Sequence, residues 1–368
     1  MHVRGRVLLD DQHEVDELWC VDGRVQLRPP GGSAAGVTTI EGWAVPGLVD
    51  VHCHIGLAAQ GPVDAATAER QATADRDAGT LLVRDAGSPS DTRWIDDRPD
   101  LPRIIRAGRH LARPKRYLRH YGRELADPAD LPSAVAQEAA RGDGWVKLVA
   151  DWIDRELRED GDLRPLWPDD VLVDAIAVAH RAGARVTAHT FSTEAVPGLL
   201  AAGIDCLEHG TGLTPDLVEE VARRAIPVVP TLLQIGQFAA IADRAGSYPR
   251  FAARMRAMHA RRHRHVHDLY EAGVPLLVGT DAGGTIDHGR LPQEAAEMVR
   301  AGIPARDVLA AATWRARDYL GVPGLTEGAP ADLVVYPADP RVDIGVLAAP
   351  RAVVLRGVAR APAPRPVV

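Results

Sequence analysis

The chain has 368 residues, of which 46% are hydrophobic and 25% are charged, and its formal net charge is −7. These values are ordinary for a globular protein, and the acidic balance speaks against a nucleic-acid partner. There is no run of eighteen apolar residues and no apolar signal segment, so we expect a cytoplasmic protein without membrane contact. The scattered cysteines predict reduced thiols rather than a disulfide framework: Cys20, Cys53 and Cys206.

The two ends of the chain share a β-rich texture. Short β-prone runs in residues 1–44 are separated by Gly and Asp, and Asp22-Gly23 between two of them indicates a hairpin. Similar runs return at 331–336 and 352–355. We therefore predict that residues 1–45 and 322–368 pack together as one small β-sandwich domain. The Pro-rich tail from Arg360 to Pro366 is expected to be frayed.

The middle of the chain, residues 46–321, alternates β-prone runs with helical stretches. The β-prone runs are 48–51, 80–84, 103–106, 145–149, 185–188, 206–207, 228–229 and 276–278. The predicted helices are 63–78, 131–141, 169–182, 193–202, 214–225, 251–272 and 292–301. Eight strands alternating with helices predict an α/β fold, a (β/α)8 TIM barrel that forms the catalytic domain.

Polar residues follow several of these runs. His52 and His54 end the first run and point to the same side, because strand side chains alternate. Two imidazoles on one face supply half of a metal site. The later runs carry or end in Lys147, His189, His209 and Asp281. Each could be structural if taken singly, but a barrel gathers all of its strand ends at one mouth.

The motifs PGLVDVHCH, VKLVAD, AHT, LEHG and GTDAG together resemble the amidohydrolase superfamily. The segments AGTLLVRD and AGVPLLVGTD are most similar to the branch of imidazolonepropionase-like proteins and metal-dependent Xaa-Pro dipeptidases, the prolidase-like branch. The resemblance implies a metal-dependent hydrolase that cleaves an amide or related C–N bond of a small molecule. A dipeptide or an N-acyl amino acid is the implied substrate.

The resemblance also implies two divalent metal ions, zinc by default, bridged by a carbamylated Lys147 and by hydroxide. His52 and His54 would hold the first ion, and the second would be held by His189 and His209. Asp281 would ligate the first ion and act as the general base. An unmodified Lys is a cation and cannot ligate beside two dications, so this position requires a modified or neutral lysine.

Substrate binding is expected from a basic loop after the third run and from the last barrel loop. The candidates are Arg113, Arg116, Tyr117, His120, Tyr121 and His288. Arg suits a substrate carboxylate because it makes paired hydrogen bonds. The alternative for the first loop is a solvated basic surface. Glu208 is expected to face away from His209 and to be structural, and the histidines at 259, 263 and 267 are expected on a solvated helix.

Two other functions stay open at this point. One is a mononuclear deaminase or cyclic-amidine hydrolase of the imidazolonepropionase type, which tends to carry Glu three residues after the fifth-strand His. This chain has Ser192 there, which argues against that function. The other is a non-catalytic barrel that binds a small molecule. The sequence also leaves open a homo-oligomer.

Overall fold

A computed structural model describes residues 1–31 and 36–360. The tail expected to be frayed lies outside the described residues, apart from Arg360 itself. The strands are β1 (His2–Leu8), β2 (Glu14–Val21), β3 (Arg24–Gln26), β4 (Thr39–Pro46), β5 (Leu48–Cys53), β6 (Leu57–Ala58), β7 (Gly61–Pro62), β8 (Thr80–Asp85), β9 (Arg103–Arg106), β10 (His110–Ala112), β11 (Gly122–Glu124), β12 (Trp145–Val149), β13 (Asp151–Ile153), β14 (Leu163–Pro165), β15 (Arg185–Thr190), β16 (Cys206–His209), β17 (Val228–Val229), β18 (Leu333–Tyr336), β19 (Ala352–Leu355) and β20 (Val358–Arg360).

All seven predicted helices are present, within three residues of the predicted bounds. Four others were not predicted, because five to seven residues are too few for a helical period to show in the sequence. The helices are α1 (Ala65–Asp77), α2 (Leu131–Arg141), α3 (Asp169–Arg181), α4 (Val196–Ala202), α5 (Pro215–Arg223), α6 (Leu232–Gly236), α7 (Phe238–Arg244), α8 (Pro249–Glu271), α9 (Leu291–Arg300), α10 (Ala305–Ala311) and α11 (Trp314–Leu320). Short 3₁₀ turns span Arg93–Asp97, Pro128–Asp130, Arg155–Asp160 and Ile344–Ala348.

Strands from both ends of the chain form one seven-stranded sheet in the order β20-β19-β18-β4-β1-β2-β3. β1 pairs in parallel with β4, and the other neighbours are antiparallel. The two ends meet where β18 pairs with β4, with Leu333 opposite Pro46. Among the described residues no second sheet from the chain ends faces this one, so the predicted β-sandwich has the form of a single sheet.

The parallel strands of the middle segment lie in two further sheets. One has the order β5-β8-β9, and the other has the order β11-β10-β12-β15-β16-β17. Seven of the eight predicted runs are regular strands in the described part of the chain. The eighth run, 276–278, makes a single bridge to β17 between Leu276 and Val228, and Ala282, shortly after the run, makes a single bridge to Cys53 of β5. No ladder joins β9 to β12 within the described ranges, so the hydrogen-bonded ring is open there.

Alternation along these strands decides which side chains reach the site. In β12, β15 and β16 one set of apolar residues packs outward against α2 to α5, among them Leu148, Val186 and Leu207. The alternate set points inward and contains the polar residues Lys147, Thr187, His189 and Glu208, all buried. The inward side chains therefore meet at the centre of the strand arrangement.

Candidate metal centre

The side chains of β5 and of the segment after 278 meet at Asp281. His52 Nε2 lies 3.1 Å and His54 Nε2 lies 3.0 Å from the same oxygen, Asp281 Oδ1. Both imidazoles are buried, whereas 18% of the Asp281 side chain is exposed. The two predicted histidines and the predicted aspartate thus come together, with the carboxylate on the solvent side.

The outer nitrogens of these rings fix where the protons lie. His54 Nδ1 is 2.7 Å from the carbonyl oxygen of Gly87, which can only accept a hydrogen bond. His54 Nδ1 therefore carries the proton, and burial lowers the pKa of this ring, which favours the neutral form. The neutral ring then presents the lone pair of Nε2 to a carboxylate oxygen. A cation between them turns this repulsion into ligation.

A second pair of histidines ends β15 and β16. His189 Nδ1 lies 3.0 Å from His209 Nε2. Thr231 Oγ1 donates to the carbonyl of Pro230 and so accepts from His209 Nδ1 at 2.7 Å. His209 Nε2 therefore presents a lone pair to His189. Ligand atoms of His52, His209 and Asp281 all lie within 4.8 Å of one another, which is close enough to hold one ion.

Lys147 lies among these groups with its ammonium buried and unpartnered. The residue is 1% exposed, and Nζ has no hydrogen-bond partner among residues 1–31 and 36–360. Burial lowers the pKa of Lys147 from its ordinary value. The chain otherwise uses Arg for its basic residues, since its only lysines are Lys115 and Lys147 among 43 basic residues. An orphaned amine beside converging lone pairs fits the two-metal group that the sequence resemblance implies.

Glu208 contacts His52 on the side of the ring away from Asp281, contrary to the expectation that Glu208 faces away from the site. Its carboxylate pairs with buried Arg84 and lies 2.7 Å from His52 Nδ1. His209 adopts a left-handed backbone with φ of 67°, which ends the strand alternation, so that Glu208 and His209 both reach the interior. A carboxylate behind a ligating histidine fixes the orientation of the ring and raises its basicity.

Two residues of the centre have left-handed backbone conformations, Asp281 at φ of 59° and His209. Residues other than Gly rarely adopt this region, at a cost of about 1–3 kcal/mol each. The hydrogen bond from Asp281 N to the carbonyl of His52, at 2.7 Å, holds the first of them. Strained backbone at both positions marks them as places where side-chain direction is more important than local stability.

A cavity of about 440 Å³ opens from the centre and includes His54, His189 and Asp281 in its wall. Its remaining lining is mainly aromatic and aliphatic. This size and composition are typical of a small-molecule site. The lining also includes Tyr117, Tyr121, Trp152, Arg155, Phe191, Arg244, Ala245, Phe251 and Met255.

The predicted substrate loop divides between this cavity and a neighbouring cleft. Tyr117 and Tyr121 line the cavity, whereas Arg113 and Arg116 line the cleft. Arg116 pairs with Asp154 at 2.9 Å and is therefore engaged in the fold. His120 is exposed, and its Cβ lies against Gly61.

His288 lies apart from the cavity lining. Its Nδ1 is 2.8 Å from Asp75 Oδ2 on α1 and 3.6 Å from Cys53 Sγ, on the opposite side of β5 from His52 and His54. The pairing with Asp75 raises the pKa of His288 despite burial, which alone would lower it. Of the histidines expected on a solvated helix, His263 pairs with Glu297 at 2.7 Å.

His110 was missed by the sequence analysis. It is fully buried at the start of β10, and its ring centroid lies 5.0 Å from that of His54. In the described part of the chain, neither of its ring nitrogens has a hydrogen-bond partner. Its ring centroid also lies 5.2 Å from that of Tyr117. Its place just after the third run was the signal that would have identified it.

No helix in the described ranges is long and apolar enough to cross a membrane. The chain is similar to curated proteins that are described as uncharacterized. One from Mycobacterium tuberculosis (strain ATCC 25618 / H37Rv) and one from Mycobacterium bovis are each 54% identical over 359 residues, covering 97% of this chain and 95% of theirs.

Several solved structures share the fold. An Xaa-Pro dipeptidase with bound methionine in the active site has a TM-score of 0.83 at 20% identity, covering 98% of this chain and 99% of that one. A prolidase complexed with N-methylphosphonate-L-proline has a TM-score of 0.81 at 21% identity, covering 98% and 99%. The ochratoxinase of A. niger has a TM-score of 0.80 at 19% identity, covering 98% and 96%.

These structures show the fold, and the family profile shows the relationship. The amidohydrolase family profile matches residues 43–359, which include every residue of the centre described above. The chain therefore belongs to the amidohydrolase family, and it is a hydrolase by that membership.

Proposed function

We propose that this protein is a metal-dependent hydrolase that cleaves an amide or related C–N bond of a small molecule, with dipeptides and N-acyl amino acids as the first class to test. One observation carries the proposal. His54, whose proton lies on Nδ1, presents the lone pair of Nε2 to Asp281 Oδ1 at 3.0 Å, and His209 Nε2 presents another lone pair within 4.8 Å of that carboxylate, so a cation between these atoms would turn the repulsion into ligation.

The residues divide between two ion positions. His52, His54 and Asp281 would hold one divalent ion, and His189 with His209 would hold the other; zinc suits this mixture of nitrogen and oxygen ligands. Lys147 would bridge the two as a carbamate, formed when its free amine adds to carbon dioxide and loses a proton. The orphaned Nζ supports this role, because a buried amine without a partner is costly unless it is modified.

Bound ions of this kind supply a Lewis acid for the scissile carbonyl and a water with a lowered pKa. Asp281 is the group that moves the proton. Its carboxylate lies at the boundary between the histidines and the cavity, so it can accept a proton from the attacking water and deliver it to the leaving nitrogen. Glu208 would fix the orientation of the His52 ring, and Thr231 would fix that of the His209 ring.

Two further features support the proposal. The candidate residues follow the carboxyl ends of parallel strands, where active sites of TIM barrels lie, and a (β/α)8 barrel is the architecture that we propose for the middle segment. Structures of the same fold include proteins described as an Xaa-Pro dipeptidase and a prolidase. Prolidase-like cleavage is therefore the first reaction to test here.

The test is a hydrolysis panel on protein stripped with chelator and reloaded with zinc, manganese or cobalt. Dipeptides and N-acyl amino acids are assayed for amine release, and cyclic amidines and aminopurines for ring opening or ammonia. We expect metal-dependent amide hydrolysis that is abolished in Asp281→Asn and retained in Asp287→Asn, an exposed aspartate of the same loop. Metal-dependent ammonia release without amide cleavage would instead establish the deaminase. If the protein binds a panel compound without metal and does not turn it over, the result would favour the non-catalytic barrel that binds a small molecule.

A further inference from the structure

We infer that the substrate is an elongated amide whose bulky apolar part fills the cavity beside the metal centre and whose anionic group lies at the cavity mouth, several bonds from the scissile carbonyl. The inference rests on the proposed function, because it places the scissile bond at the centre formed by Asp281 and its neighbours. It departs from a dipeptide, in which the carboxylate lies next to the scissile amide.

The inner wall of the cavity is apolar. Trp152 and Phe191 contact the centre directly, with ring centroids 5.3 Å and 4.1 Å from that of His189. Farther from the centre, α8 contributes Phe251 and Met255, which are almost fully buried. Burial of apolar surface against such a wall is the main source of affinity that the cavity offers.

The cations of the cavity lie at its opening. Arg155 and Arg244 are the arginines in its lining, and both are exposed, so they belong to the mouth. Neither has a carboxylate partner among residues 1–31 and 36–360, although nearby Arg250 and Arg254 are paired with Asp160 and Asp162. Two free guanidinium groups beside an apolar cavity are suited to a carboxylate or phosphate.

These cations come from separate elements that cover the cavity. Arg155 begins the 3₁₀ turn after β13, and Arg244 is the last residue of α7. Nearer the centre, the lining contains no Lys or Arg among the residues that the structure describes, and its polar groups besides those of the centre are the side chains of Tyr117, Tyr121, Gln234 and Thr285. A carboxylate adjacent to the scissile bond would be buried against aromatic rings, which is costly without a counter-charge.

Positional isomers test this arrangement. Hexanoyl-4-aminobenzoate carries its carboxylate away from the scissile amide, and hexanoyl-2-aminobenzoate carries it beside the amide, with equal mass and charge. Hexanoyl-4-aminobenzamide has the same shape as the first without the charge. We expect zinc-loaded protein to hydrolyse the 4-isomer with at least a tenfold higher kcat/KM than the 2-isomer, and to prefer the 4-carboxylate over the carboxamide.

Two variants separate the charge from the apolar fit. The double variant Arg155→Met/Arg244→Met should lower kcat/KM for the 4-carboxylate by about tenfold, since exposed ion pairs contribute little each, and leave the carboxamide unchanged. Ala245→Phe, which narrows the cavity, should lower kcat/KM for hexanoyl more than for acetyl amides. Arg119→Met removes an exposed arginine of the neighbouring cleft and is the matched control, with no effect expected.

Preference for the 2-isomer, or an equal loss for carboxylate and carboxamide in the arginine variant, would overturn the inference. If dipeptides are cleaved but neither isomer is, the inference fails while the proposed function stands. If no amide is cleaved, the proposed function fails. The affinity of the protein for the 4-isomer, measured by calorimetry, then tests the inference about the cavity separately. Binding that is tighter than that of the 2-isomer and weakened in the arginine variant supports the inference; equal or undetectable binding overturns it.

Discussion

We predict that Glu208 couples the stability of the fold to the affinity of the proposed metal centre, and Glu208→Gln tests both effects by removing a single charge. The carboxylate is fully buried between the Arg84 guanidinium and His52 Nδ1, which is 2.7 Å away. Thr187 Oγ1 also donates to it. Burial alone would raise the pKa of Glu208, but Arg84 and His52 hold it well below its ordinary value. The substitution therefore removes an anion.

The magnitude has two parts. Removing one partner of a buried ion pair leaves Arg84 without a counter-charge, which costs about 3–5 kcal/mol of unfolding free energy. Loss of the carboxylate behind His52 weakens metal binding by about 10- to 100-fold, which corresponds to about 1.4–2.7 kcal/mol. Replacing both partners, in Arg84→Met/Glu208→Met, should cost less stability than Glu208→Gln alone, because no buried charge is left.

The first assay is urea unfolding of metal-free protein, and the second is zinc affinity by competition with a chromophoric chelator. Glu219→Gln is the matched control, because this exposed glutamate on α5 has no ion pair in the described part of the chain. Glu208→Gln with the urea midpoint and the zinc affinity of the parent would refute the coupling. A double variant as unstable as the sum of the single variants would refute the ion-pair argument.

Three further outcomes follow from the site. Asp281→Asn should lower kcat by about 10²–10⁴-fold, the range typical of a lost general base, with an unchanged far-ultraviolet circular dichroism spectrum; near-parent turnover would remove Asp281 from the mechanism. Zinc at 100 times its dissociation constant should raise the unfolding free energy by about 2.7 kcal/mol for each site, and a melting temperature insensitive to chelator would contradict resident metal. Asp75→Asn weakens the contacts to His288 and Gly289, so about 1–3 kcal/mol of stability should be lost at unchanged metal content; a parallel loss of metal would show that this cluster and the centre are one unit.

Much of the fold could be predicted because strand and helix periods are strong in the middle of the chain. The run 145–149 is β12 at the same bounds, and the stretch 131–141 is α2 at the same bounds. The run 276–278 was harder, because within the described ranges it makes only a single bridge, to β17. The form of the terminal sheet depends on pairing between segments about 290 residues apart, as in Leu333 opposite Pro46, which local pattern does not encode.

The metal-ligand candidates could be predicted because strand ends collect at one edge of a parallel arrangement. The inward direction of Glu208 could not, since strand alternation places His209 on the opposite side, and it is the left-handed backbone at His209 that lets both side chains reach the interior. The cavity wall depends on elements far apart in sequence, such as Trp152 and Phe251, that meet only in the folded chain. Arg116 had the right chemistry for a carboxylate but is engaged by Asp154.

The most direct test of the metal centre is the number of metal ions per chain, measured by plasma mass spectrometry on protein purified without chelator. The parent and Lys115→Ala, which changes the chain's other lysine, are expected to hold close to two ions. Lys147→Ala is expected to hold one or none, because the bridging group is removed. Two ions in Lys147→Ala, or none in the parent even after reconstitution, would contradict the proposed binuclear hydrolase.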